Sequence, residues 1–227
     1  MKYRNIVEGK FLKRPNRFIA HVEVEGRLEV VHVKNTGRCK ELLTEGAIVY
    51  LEASDNPSRK TKFDLIAVRK KNLLINMDSQ APNKVVGEWL ENNCPWGKLK
   101  LLKPEFAHGD SRFDFYLETE SAKILLEVKG VTLEKEGVVL FPDAPTERGI
   151  KHLEGLTKAI AEGYRAVVFF VIQMEGVKYF TPNRETHQAF AEALQKAAQA
   201  GVEVLAYDCH VEEDGFEIRQ RVEVRLP

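Results

Sequence analysis

The sequence predicts two parts of different class: an all-β barrel over residues 1–76 and an α/β unit with a mixed sheet over residues 77–227. Three observations lead there. The first 75 positions are short alternating segments broken by turn residues, whereas from Asp78 helical periods interleave with apolar runs. The length of 227 residues suits one large domain or two small ones. The charge divides at the same place: residues 1–75 carry 16 Lys and Arg against nine Asp and Glu, residues 76–227 carry 18 against 25, and the net charge is zero. A basic half beside an acidic half points to nucleic acid on one and metal-binding carboxylates on the other, with two differently solvated surfaces as the alternative.

The barrel elements follow from alternation. Ile6 to Phe11 is the first strand. Phe18 to Val24 places Phe18, Ala20, Val22 and Val24 on one face, Glu25-Gly26 turns the chain, and Leu28 to Val33 returns as a hairpin. Ala47 to Leu51 and Phe63 to Val68 complete five strands, with a helical piece over Cys39 to Leu43 between the third and fourth. Five strands with a helix in that place suit an oligonucleotide-binding-type barrel; an SH3-like barrel suits the strands nearly as well. Phe11 and Phe18 are read as core.

In the second part Asp78 or Ser79 caps a helix from about Pro82 to Glu91. Three strands follow, near residues 98–106, 112–118 and 123–128, and a short one spans Val138 to Phe141. A helix opens at Pro145 or Thr146 and ends at Gly163; Arg165 to Gln173 is the most apolar strand. Arg184 to Ala200 is a helix stopped by Gly201, and strands near residues 202–207 and 216–225 close the chain.

Composition excludes several classes. With 44% hydrophobic and 30% charged residues the chain is neither disordered nor collagen-like. No apolar run approaches the roughly 18 residues of a membrane span. The N-terminal segment lacks a signal-peptide core, which predicts a cytoplasmic protein. Cys39, Cys94 and Cys209 are odd in number and far apart, so neither a disulfide framework nor a paired zinc spacing is expected.

The sharpest chemical signal is Asp114 on one predicted strand and Glu127-Val128-Lys129 on the next. Glu127 and Lys129 are two apart and share a face. A hairpin brings Asp114 beside Glu127, and two adjacent carboxylates favour a hard cation, Mg²⁺ or Mn²⁺. A lysine beside them can position or help deprotonate water, the requirement for phosphodiester hydrolysis. An ordinary cross-strand charge cluster is the plainer alternative.

The order α-β-β-β-α-β with these residues on its second and third strands resembles the PD-(D/E)XK nuclease superfamily. That resemblance implies an acidic residue from the first helix, Glu88 or Glu91, of which Glu88 lies nearer the apolar stripe. Phe113 stands where the motif has proline. A second constellation is Thr146, Arg148, Lys151 and His152 at a helix start, where cations oppose the helix dipole and a bound phosphate would relieve the conflict. Asn35-Thr36-Gly37-Arg38 is either a simple turn or a phosphate contact, and Lys13, Arg14 and Arg17 add charge near the barrel rim.

Together, Asn35-Thr36-Gly37-Arg38, Arg112-Phe113-Asp114, the run Glu127 to Leu133 and the run Phe141 to Leu153 resemble the sugar fermentation stimulation protein A family over essentially the whole chain. The resemblance implies non-specific DNA binding, a link to regulation of sugar use, notably maltose, and an oligonucleotide-binding barrel joined to a nuclease-like domain. The leading expectation is a DNA-binding protein with a metal-dependent nuclease site. A non-catalytic DNA-binding regulator, and a module responsive to a sugar or nucleotide, are the alternatives.

Overall fold

The structure, a computed structural model, describes residues 1–35, 37 and 39–226; Thr36 and Arg38, two of the expected phosphate contacts, lie outside the described residues. Strands β1 (Ile6–Asn16), β2 (Ile19–Val24), β3 (Arg27–Val33), β4 (Ile48–Ala53), β5 (Phe63–Lys70) and β6 (Leu73–Asn76) run in the order β3-β2-β1-β4-β5-β6. Parallel pairing of His32 with Asp64 and Val33 with Leu65 joins β3 to β5 and closes the barrel. The β2–β3 hairpin turns on Glu25 and Gly26, both at positive φ, which matches the twist of the flanking strands. Ala20, Val22, Val24, Val31 and Val33 fill the interior, as the alternation requires.

Three expectations for this region are corrected. Cys39 to Leu43 is a turn, with Leu42 and Leu43 N–H both donating to the Cys39 carbonyl; Cys39 sits at φ +45°, outside helical space. Phe18 has inward parity but stands at the barrel's end, where it is 44% exposed beneath the Arg17 guanidinium. Strand β6 is an addition to the five strands read from the sequence; its four residues are too few to show a period.

The α/β unit comprises α1 (Ala81–Asn93), β7 (Leu99–His108), β8 (Ser111–Thr119), β9 (Lys123–Val131), β10 (Leu133–Lys135), β11 (Val138–Phe141), α2 (Glu147–Ala161), β12 (Arg165–Ile172), β13 (Tyr179–Pro182), α3 (Arg184–Gln199), β14 (Glu203–Val211) and β15 (Phe216–Arg221). Its main sheet has the order β15-β14-β12-β9-β8-β7, with β9, β12 and β14 parallel and the outer pairings antiparallel. Central β12 is apolar on both faces because helices cover both: Val167, Phe169 and Val171 pack with α1, and Val168, Phe170 and Ile172 with α2 and α3. Thr146 caps α2 by accepting from Gly149 N–H at 3.0 Å. Gln80 stands at the N-cap of helix α1 without a side-chain cap bond; Asp78 instead turns the chain into the helix by accepting from Gln80 N–H at 2.9 Å. A small sheet β10-β11-β13 stands to one side, with β10 and β13 too short to show in the sequence pattern. Among the described residues no helix is long and apolar enough to cross a membrane.

The two parts are joined by buried polar groups. Lys34 on the barrel reaches Asp78 at 3.1 Å, Lys70 reaches Glu134 at 2.7 Å, and Asn76 N–H donates to the Gln173 carbonyl at 2.9 Å. Nearby, Asp64 accepts from Arg59 at 2.9 Å and contacts His32 at 2.9 Å. Burial raises the Asp64 carboxyl, but the Arg59 and His32 hydrogen bonds and the Lys34 charge outweigh it and lower it to about 2. A carboxyl depressed on folding stabilises the fold above its unfolded value, near 4, and that contribution is lost as pH falls toward 2. Denaturant unfolding should therefore show the stability advantage of the parent over Asp64→Asn shrinking between about pH 5 and pH 2.5. An advantage independent of pH in that window would show that the Asp64 charge does not carry it.

Candidate metal centre

The candidate centre lies at a fork in the main sheet. The antiparallel β8–β9 ladder runs from Glu118↔Lys123 to Phe115↔Leu126 and stops there. Beyond it β8 continues to pair with β7, and β9 with β12, so the strands diverge. The next pair in register would be Asp114 and Glu127, which face each other across the opening. Val128 N–H, released from the ladder, donates to Asp114 Oδ2 at 2.7 Å, and Asn83 of α1 donates through Nδ2 to Oδ1 at 2.8 Å. Glu127 Oε1 meets both Lys129 Nζ and His152 Nδ1, the latter from α2. Arg148 Nε lies 3.4 Å from His152 Nε2 one helical turn back.

The electrostatics divide the two carboxyls. Burial, then the neighbouring Glu127 charge, pushes Asp114 up despite its hydrogen bonds. Burial also opposes ionisation of Glu127, but the His152 hydrogen bond and the Lys129 ammonium prevail and hold it below the usual carboxylate range. Glu127 is 2% exposed, and its Oε2 is buried with no hydrogen-bond partner among the described residues. A buried, unpartnered carboxylate oxygen is costly unless something positive meets it.

The structure thus brings Asp114, Glu127, Lys129 and His152 together, and leaves Glu88 out. Glu88 is 57% exposed on its side chain and pairs with the Met1 amine at 2.8 Å. The α1 residue that reaches Asp114 is Asn83, and five residues further on is about 140° round the helix, so both cannot face the fork. Sequence reasoning misses Asn83 because the nuclease pattern has an acid from this helix. His152 is buried against Glu127 instead of open to solvent, while Arg148 and Lys151 are exposed beside it. Thr146 is engaged as the α2 cap.

The barrel residues also sort. Lys13 and Arg17 are exposed. Arg14 is turned onto backbone: its guanidinium donates to the carbonyls of Gly37 at 2.8 Å, Asn35 at 2.6 Å and Arg17 at 2.6 Å, so it braces the loop. Asn35 Oδ1 accepts from Gly37 N–H at 2.8 Å. A Cβ on Gly37 would stand 2.5 Å from Asp143 Oδ2, so a side chain there would displace the Asp143 carboxylate.

Comparison with known proteins identifies the family. The family described as the Sugar fermentation stimulation protein RE domain matches residues 80–215, and the SfsA N-terminal OB domain matches residues 12–77. The chain belongs to the sugar fermentation stimulation protein family. A relative named Sugar fermentation stimulation protein homolog, from Ruminiclostridium cellulolyticum, is 56% identical over 226 residues, covering 100% of both chains. One of the same name from Desulfitobacterium hafniense is 60% identical, covering 100% of this chain and 99% of its own. A solved structure of Pyrococcus furiosus SfsA in complex with Ca²⁺ superposes with TM-score 0.89 at 28% identity, covering 99% of this chain and 98% of that one. The oligonucleotide-binding barrel followed by an α/β unit with a mixed sheet, expected from the sequence, is the fold of this family member.

The residues fit a hard divalent cation. Among the described residues no cluster of three or more His, Cys, Asp and Glu could hold a metal. Asp114 and Glu127 would supply two carboxylates, with water or phosphate oxygens completing the shell, the usual arrangement for Mg²⁺. The unpartnered Glu127 Oε2 is the atom such a cation would satisfy.

Proposed function

We infer that the chain binds DNA without sequence preference and hydrolyses phosphodiester bonds at the fork, with Mg²⁺ or Mn²⁺ held by Asp114 and Glu127. The carrying observation is the buried carboxylate pair with one orphan oxygen and Lys129 alongside. A divalent cation bound there lowers the pKa of water and offsets charge on the phosphate. Lys129 orients the attacking water from the same face as Glu127. His152 and Lys129 hold Glu127 Oε1, which leaves Oε2 for the cation. Asn83 and Val128 N–H fix the Asp114 carboxylate. Exposed Arg148 and Lys151 on α2, with Lys13 and Arg17 on the barrel, neutralise backbone phosphates. The Ca²⁺ complex of Pyrococcus furiosus SfsA supports divalent metal use in this family. Division near residue 77 leaves the barrel as the strand-holding part, and regulation of sugar use is the physiological setting the family suggests.

The test is incubation with labelled single- and double-stranded DNA in Mn²⁺, Mg²⁺ or EDTA. Cleavage is expected with metal and none with EDTA, and affinity should fall steeply with salt while varying little with sequence. Metal-independent cleavage, or none with any divalent ion, would refute the assignment. Asn83→Ala loses an outer partner of a metal ligand. Calorimetry should show Mn²⁺ affinity lower by about 10–100-fold, the scale of such partners; unchanged affinity would mean that Asn83 does not orient Asp114.

A further inference from the structure

A second site lies at the carboxyl ends of β9 and β12, where ligands seat in open α/β sheets. A cavity of about 130 Å³ is lined by Asn35, Ser79, Gly130, Thr132, Asp143 and Gln173, among others. It begins one residue beyond Lys129. Gly130 also touches Pro82, the neighbour of Asn83; a Cβ there would lie 2.9 Å from Pro82 Cγ and 2.6 Å from Gln173 Oε1. The cavity therefore adjoins the fork.

The lining pairs apolar side chains, among them Leu133, Leu140 and Phe141, with polar groups of which Gln173 and Ser79 present acceptors. Gln173, 2% exposed, donates through Nε2 to the Asn76 carbonyl at 3.1 Å, Asn76 Oδ1 at 3.0 Å and the Asp78 carbonyl at 3.2 Å. All three partners act as acceptors, which fixes the amide and leaves Oε1 on the Gly130 side. Among the described residues Oε1 accepts no hydrogen bond. Ser79 Oγ donates to the Lys34 carbonyl at 2.7 Å and so offers only lone pairs. Asp143 adds an exposed carboxylate at the mouth. Acceptors at Gln173 and Ser79, a carboxylate at Asp143 and an apolar wall disfavour phosphate and suit an uncharged, partly apolar group bearing N–H or O–H donors. With a phosphate at the fork, the group of that kind within reach is the base of the adjoining nucleotide. Paired bases show some N–H donors in the grooves, but a base enters an enclosed cavity whole, with its Watson–Crick donors free, only when it is unpaired and out of the stack.

We propose that this cavity receives an unpaired nucleobase next to the phosphate bound at the fork, so that the chain selects single-stranded or frayed nucleic acid. The placement of the phosphate rests on the function inferred above; the donor preference of the cavity does not.

The experiment follows backbone amide resonances of the full chain in EDTA while 2′-deoxynucleosides, which lack phosphate, are added. Saturable shifts are expected at Ser79, Gly130, Thr132 and Gln173, and their loss in Thr132→Leu or Ser79→Val, each of which fills or lines the cavity with hydrocarbon. In parallel, anisotropy in EDTA compares a blunt hairpin with one carrying a single-stranded overhang. The overhang should bind about tenfold tighter, or about 1.4 kcal/mol, and the difference should vanish in whichever variant keeps the parent spectrum elsewhere. No shifts at these residues, shifts produced by inorganic phosphate or Ca²⁺ but not by nucleosides, or equal affinity for both hairpins would overturn the proposal. Metal-dependent cleavage that is lost in Asp114→Asn yet equal on paired and unpaired DNA would also overturn it, while leaving the phosphodiesterase reading in place. Nucleoside binding in the cavity of a chain that cleaves nothing would uphold it against the failure of that reading.

Discussion

Glu127→Gln and Asp114→Asn are each expected to abolish Mn²⁺ binding in calorimetry. Loss of an outer partner alone costs about 10–100-fold in metal affinity, so loss of a ligand's charge should exceed that. The folds should survive. Gln keeps the carbonyl oxygen that Lys129 and His152 contact, and places an amide where Oε2 has no partner. Asn at 114 cannot accept from both Asn83 and Val128 through equivalent oxygens, so that variant is the less stable of the two. It also removes a carboxyl that burial and Glu127 already push toward its neutral form, which moderates the loss. Unchanged Mn²⁺ binding in both variants would place the metal elsewhere or show that none binds.

Lys129→Ala should leave Mn²⁺ and DNA binding nearly intact and slow metal-dependent cleavage by about 10²-fold or more, the scale of a positioned acid–base group. Glu127 keeps His152 when Lys129 is removed, and Asp114 keeps Asn83 and Val128 N–H, so no carboxylate is left without a partner. If Lys129 only neutralised Glu127, its loss would lower stability in the absence of metal, because a buried carboxylate loses its counter-charge, and leave the cleavage rate unchanged. Cleavage by Lys129→Ala at the parental rate, in a preparation where Asp114→Ala is inactive, would end the catalytic assignment while sparing the metal site.

The readable part of the site is the part that lies on strands. Glu127 and Lys129 share a face because side chains alternate, and the hairpin length from Asp114 to Glu127 sets them opposite each other. The unreadable part comes from helices. A residue on α1 can meet the fork only if the helix is rotated to bring it there, and packing of Val85, Val86 and Leu90 on the sheet sets that rotation. It turns Asn83 to Asp114 and Glu88 to Met1. Charge and spacing make His152 read as a phosphate contact, yet the seating of α2 buries it on Glu127.

Periodicity, a local property of the chain, is sufficient for the barrel strands, the alternating α/β unit, the strongly apolar character of β12 and the pairing of an acid with Glu127-x-Lys129. Packing produces the fork that separates β8 from β9, the orphan oxygen of Glu127, the exposure of Phe18 and the turning of Arg14 onto its own loop. Each of these depends on which surface another element covers. A carboxylate oxygen becomes a metal ligand or a stranded charge according to neighbours that are distant in sequence, and a rim residue of inward parity is buried only if the barrel extends past it. Those distances are set when the elements pack, and no spacing along the chain encodes them.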